Sequence, residues 1–117
     1  MQERDLLKMT TVYLKLWKLC DLVLQHSNVQ ESSKFLEIAY VDEHAVIKEL
    51  EKYEQSGLAW ADNSSLLADE IKDTLGLARK QVKSEGDFAV LSSYRTRFQE
   101  KALHYSGELE MVSGQGT

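Results

Sequence analysis

The sequence predicts an all-α fold, a four-helix up-down-up-down bundle, and three observations carry that expectation. The 117 residues contain no proline and only six glycines, which favours long uninterrupted helices over a turn-rich β fold. Four stretches repeat their apolar residues at the three- and four-residue spacing of amphipathic helices. The connections between them are short and rich in capping residues, so consecutive helices can lie antiparallel. If the second and third stretches merged through Gly57–Ser64, a three-helix, spectrin-like bundle would result. One domain is expected over residues 1–112, with 113–117 as a tail whose SGQGT sequence gives it nothing to bury.

The first helix is expected from Glu3 to His26, around LLKMTTVYLKLWKLCDLVL, the most apolar part of the chain. At about 100° per residue, Met9, Val12, Leu16, Leu19, Cys20 and Val23 share one face. Leu6, Tyr13, Trp17 and Leu24 widen it, and Leu14 lies further round. This arc exceeds the roughly 100° of an ordinary surface helix. Either the helix touches two neighbours inside the bundle, or Leu14 and Trp17 form a second seam for another chain, as large exposed apolar patches do. Arg4, Lys8, Thr11, Lys15 and Lys18 form the polar stripe, a solvated face or a small site for an acidic partner.

The second helix is expected over Ser32–Ser56, with Phe35, Ala39, Val46, Leu50 and Tyr53 on one face and Ser27, Asn28, Ser32 and Ser33 as competing caps. Asp42 falls within that face, as a carboxylate near the seam edge that reaches water or bonds a Tyr or Lys of a neighbouring helix, or as a buried acid with a raised pKa. His44 points the opposite way. Gly57 is a natural stop, although Trp60 continues the periodicity and would allow an extension to about Ala61. Trp60 itself is a plug for the bundle end or an anchor for a partner. The third helix is expected over Ser65–Ser84, with Leu67, Ile71, Leu75, Ala78 and Val82 as its seam. Its early acids, Asp69 and Glu70, and late bases, Arg79, Lys80 and Lys83, suit the helix dipole. Ser84–Asp87 reads as a turn stopped by Gly86, with Asp87 capping a fourth helix over Phe88–Met111. Leu91, Tyr94, Phe98, Ala102, Tyr105 and Leu109 line the inner face of that helix.

Net charge is −5 and the isoelectric point about 5.2, which argues against a general nucleic-acid binder. The one cysteine, Cys20, cannot form an internal disulfide and reads as a buried structural thiol, which fits a cytoplasmic protein. Gln2–Asp5 is not a basic leader, and Lys15, Lys18 and Asp21 interrupt the apolar run, so neither a signal peptide nor a membrane span is expected. An interfacial membrane helix would segregate charge more strongly than Leu14 and Leu22 allow. The residues three before His26, His44 and His104 are Val23, Val41 and Lys101, so the Glu-x-x-His pairs of a bundle metal site are missing. No metal or other cofactor is expected, and His44, crowded by acids, is a poor phosphorelay histidine.

Arg97, Lys101 and His104 form a cationic strip on the fourth helix. Over Arg97–His104 the spacing resembles the Arg-x(4–6)-His motif of HEPN-type ribonucleases, which are helical bundles of similar size. That resemblance implies a ribonuclease whose Arg97 and His104, brought together across a dimer, act on the scissile phosphate and the 2′-hydroxyl. The residues themselves favour a non-catalytic interaction or assembly module, binding a protein partner or a second copy through helix 1. Its expected partner-binding residues are Leu14, Trp17, Leu24 and Trp60. The remaining alternative is a small adaptor or antitoxin-type binding protein.

Overall fold

The structure, a computed structural model, describes residues 1–27 and 33–114, the side chains of 27 and 33–41 excepted. Among the described residues there are four helices: α1 (Glu3–Ser27), α2 (Ser33–Ser56), α3 (Ser64–Arg79) and α4 (Glu85–Gly114). No strand occurs among the described residues. The fold is thus an all-α four-helix bundle, about 50 Å long and 23–28 Å across.

The longest pairing is between α1 and α4, which run antiparallel from end to end. At one end Ser113 Oγ donates to Glu3 Oε1 at 3.0 Å, and towards the other Arg95 Nη1 donates to Asp21 Oδ1 at 3.2 Å. Across the α1–α2 contact, the Lys15 ammonium meets Glu49, and His26 Nδ1 lies 2.7 Å from Glu43 Oε2. Helix α1 packs against all of α2, α3 and α4, whereas α2 and α4 do not approach each other among the described residues. Its wide apolar arc therefore has three neighbours to cover. Val12, Leu16 and Leu19 of α1, Leu50 of α2, Leu67, Ile71 and Leu75 of α3, and Leu91 and Phe98 of α4 are fully buried. Each such side chain contributes roughly 1.5–3 kcal/mol by leaving water.

The α2–α3 connection closes one end. Gly57 takes φ +78, a left-handed conformation that glycine adopts without the Cβ clash other residues meet. This ends α2 at Ser56 and excludes the extension to Ala61. Asn63 then caps α3, its Oδ1 accepting from Leu66 N–H at 3.1 Å. The Lys8 ammonium lies 5.5 Å above the Trp60 ring, and Tyr105 Oη donates to Asp62 Oδ2 at 3.2 Å. The connection is therefore level with Lys8 and Tyr105, and the first turn of α1 and the last two turns of α4 project beyond it.

Three local expectations are corrected. Helix α3 ends at Arg79 rather than Ser84, and Val82, expected in its seam, is 87% exposed. The segment Ser84–Asp87 is not a turn before the helix but the capping box that opens α4. Asp87 N–H donates to Ser84 Oγ at 3.1 Å, and Ser84 N–H donates to Asp87 Oδ2 at 2.9 Å. The Ser84 N–H, with the Lys80 ammonium at 3.0 Å, holds the Asp87 carboxyl below its usual range. Because that cap also grips Lys80, and Lys83 Nζ donates to the Lys80 carbonyl at 2.7 Å, the chain leaves α3 one turn early. The third concerns the buried-acid alternative for Asp42 in α2, while its reading as a carboxylate that reaches water holds. Asp42 is exposed, and Glu43 takes the inward place in the row with Val46 and Leu50, meeting His26. Phe35, Ala39 and the competing caps from Ser27 to Ser33 lie outside the residues whose side chains are described.

Candidate functional site

Two features stand out, a buried carboxylate at the centre of the bundle and an apolar outer face on the α1–α4 pair. Glu70 occupies the α3 row of Leu67, Ile71 and Thr74 and is 2% exposed. Tyr13 Oη of α1 donates to its Oε1 at 2.6 Å. From α4, Lys101 Nζ donates to its Oε2 at 2.8 Å, and Arg97 Nε stands 3.3 Å from the same oxygen. Lys101 also lies 5.0 Å from the centroid of the Tyr13 ring and 3.3 Å from its hydroxyl. One carboxylate is thus met by two cations and a phenol drawn from two other helices. Such pairing is what makes a buried charge tolerable.

Aromatic rings surround this cluster. Tyr13 stacks on Tyr105 with ring centroids 5.9 Å apart, and Tyr94 stacks on Phe98 at 5.2 Å. Burial, reinforced by the bond to Glu70, pushes the Tyr13 hydroxyl well above its usual titration range. Burial, with Asp62 nearby, pushes Tyr105 up to about 12. Burial likewise pushes the Cys20 thiol up to about 12, so at neutral pH it is protonated and packs as a small apolar group. Chemically, the Glu70 cluster is an anchor: its carboxylate is saturated by donors and sits in the helix interface.

Arg97 belongs to this anchor, its side chain 45% exposed. His104 is 63% exposed and sits 3.2 Å from Glu108 one turn on. The two share a helix but not a partner: one reaches into the bundle, the other pairs along the surface. Among the described residues no group of three His, Cys, Asp or Glu side chains is placed to hold a metal ion, and no helix is long and apolar enough to cross a membrane.

The four expected partner-binding residues separate. Leu14 is 51% exposed. Trp17 and Leu24 are half-buried against the core, and Trp60 packs edge-on to Tyr53 at 5.9 Å. The structure adds Leu7 of α1 and Leu103 of α4, 55% and 67% exposed, which the sequence reading did not single out. Leu7, Leu14 and Asp21 form a heptad row, and Asp21 reaches α4 through Arg95. Leu103 lies about 80° round from Arg95, on the flank of α4 turned away from Tyr94, Arg97 and Lys101, which face α3. Leu14 and Leu103 therefore border the outer groove of the α1–α4 pair. The available signal for Leu7 was its seven-residue spacing from Leu14. For Glu70 it was a position three after Leu67, inside an apolar row.

These features define the chain as a four-helix bundle with an ionic anchor and a partly apolar outer face. No protein family, curated protein or solved structure matches it.

Proposed function

We propose that the bundle is a non-catalytic protein-interaction or assembly module whose docking surface is the outer face of the α1–α4 pair. The observation that carries this reading is the placement of Leu14, Leu7 and Leu103, each more than half exposed, beside one interhelical groove. Single exposed apolar residues are ordinary, but several large ones along one groove are what a protein partner buries. Trp17, half-buried at the edge of the same face, supplies an aromatic edge of the kind enriched at interfaces. Leu24 and Trp60 contribute mainly to packing within the bundle in this reading.

The test is the double variant Leu14→Glu and Leu103→Glu. Helical circular dichroism and the thermal midpoint should stay near wild type, because both side chains already face water. Association, read by sedimentation of the pure protein and by comparing co-purified proteins between variant and wild type, should be lost. Unchanged association in a folded variant would sink the reading.

A further inference from the structure

We infer that the partner on this face is a second copy of the same chain, laid α1 on α4 about a two-fold axis parallel to the helices. The inference rests on the reading of the α1–α4 outer face as a docking surface. The order of charges along that face selects this partner. On α1, Arg4, Leu14 and Lys18 form one exposed ridge. On α4, Glu110, Leu103 and Glu100 form another. The bonds of Glu3 to Ser113, Tyr13 to Lys101 and Asp21 to Arg95 fix the antiparallel register. Each α1 residue is thereby level with the α4 residue whose number completes about 115. Arg4 is then level with Glu110, Leu14 with Leu103, and Lys18 with Glu100, each to within one helical turn, about 5 Å.

A two-fold axis parallel to the helices keeps every residue at its own level and exchanges the two ridges. It places Leu14 of one copy on Leu103 of the second copy. Arg4 then meets Glu110 of the second copy, and Lys18 meets Glu100. A two-fold axis across the helices, centred on the same apolar pair, instead lays the α1 ridge on itself and the α4 ridge on itself, so Arg4 and Lys18 meet neither Glu100 nor Glu110. Charge therefore selects the first arrangement, as complementary potentials do at interfaces. These groups are available for it. Lys18, Glu100 and Glu110 are exposed and have no ion-pair partner among the described residues. The one partner of Arg4 is its neighbour Asp5, at 3.9 Å, with the Arg4 side chain 78% exposed. The size also fits. A helix pair of about 37 Å by 20 Å offers roughly 750 Å² per copy, close to the roughly 800 Å² per partner of a standard interface.

The experiment is a charge swap on the full chain, read by sedimentation equilibrium over the soluble concentration range. Wild type should dimerise. Lys18→Glu alone and Glu100→Lys alone should each weaken dimerisation by about tenfold or more, because each places two like-charge pairs in the interface. An equimolar mixture of the two variants should restore the dimer, since both swapped contacts are then opposite in sign. Thermal melts of each variant guard against a folding defect, and the double variant Lys18→Glu/Glu100→Lys provides a second restoration test. A wild type that stays monomeric throughout overturns the inference. So does a mixture and a double variant that both fail to restore association. If wild type is monomeric but loses a specific co-purifying protein on Leu14→Glu/Leu103→Glu substitution, the self-association is wrong while the docking reading survives.

Discussion

The α1–α4 pair and α3 are held in the same bundle by different physics. The pair is long: α1 has 25 residues and α4 has 30, and they run side by side along their length. Its contact is mainly apolar, with buried Leu16, Leu91 and Phe98 and the Tyr13 ring against Phe98 and Tyr105, and its polar contacts, Glu3–Ser113, Tyr13–Lys101 and Asp21–Arg95, are spaced along it. Helix α3 has 16 residues and places a carboxylate in the middle of its buried row. Its Leu67, Ile71 and Leu75 supply burial, but Glu70 is what ties it to named atoms on both α1 and α4. Apolar packing is non-directional and tolerates sliding by a turn, whereas a buried carboxylate accepts only the register that brings its donors within reach. Length secures one part of the bundle, and a directional contact secures the other.

The largest expected effect lies in the pair. Phe98→Ala removes a fully buried ring that packs against Tyr94 and Tyr13, and should cost about 3–5 kcal/mol. Chemical denaturation should show a lower midpoint, with amide protection falling across all four helices together. A small loss would mean that the long seam is not the main source of stability.

The anchor should yield a smaller and more local change. Glu70→Ala strands the Tyr13 hydroxyl and frees Lys101, and should cost about 2–3 kcal/mol. Native-state hydrogen exchange should then find α3 opening well before α1 and α4, which keep their seam. If α1 and α4 lose protection equally, the distinction between the two regions collapses. Tyr13→Phe keeps the ring against Phe98 and Tyr105 and removes only the hydroxyl, so about 1 kcal/mol is expected, measured in the same way.

The smallest effect tests the junction between the regions. Ser84→Ala removes the acceptor for Asp87 N–H and should cost roughly 0.5–1 kcal/mol. Exchange should rise mainly in the first turn of α4 and at Lys80, which Asp87 also holds. No change there would leave the early end of α3 without its cause.

The sequence by itself determined the class of fold and the inner faces of α1 and α4. Spacing at 3.6 residues per turn is a local property, and it marks Leu16, Leu91 and Phe98 without reference to any neighbour. The stop at Gly57 and the bounds of α1 were legible for the same reason, since backbone freedom and capping act within a few residues. What only the tertiary structure decided were choices between locally equivalent options. Asp42 and Glu43 are adjacent acids, and the one that turns inward is the one that meets His26 on another helix. Glu70 lies in an apolar row as any carboxylate might, and its burial follows from donors that arrive 31 and 57 positions away in the chain. Val82 fits the helical period of α3, yet the grip of the Ser84–Asp87 cap on Lys80 ends the helix before reaching it. Trp17 and Leu14 stand three residues apart on α1, and only the packing of three neighbouring helices makes one half-buried and leaves the other in water. A hydrophobic period says that a residue can be buried; which partner covers it is fixed by where the other helices lie.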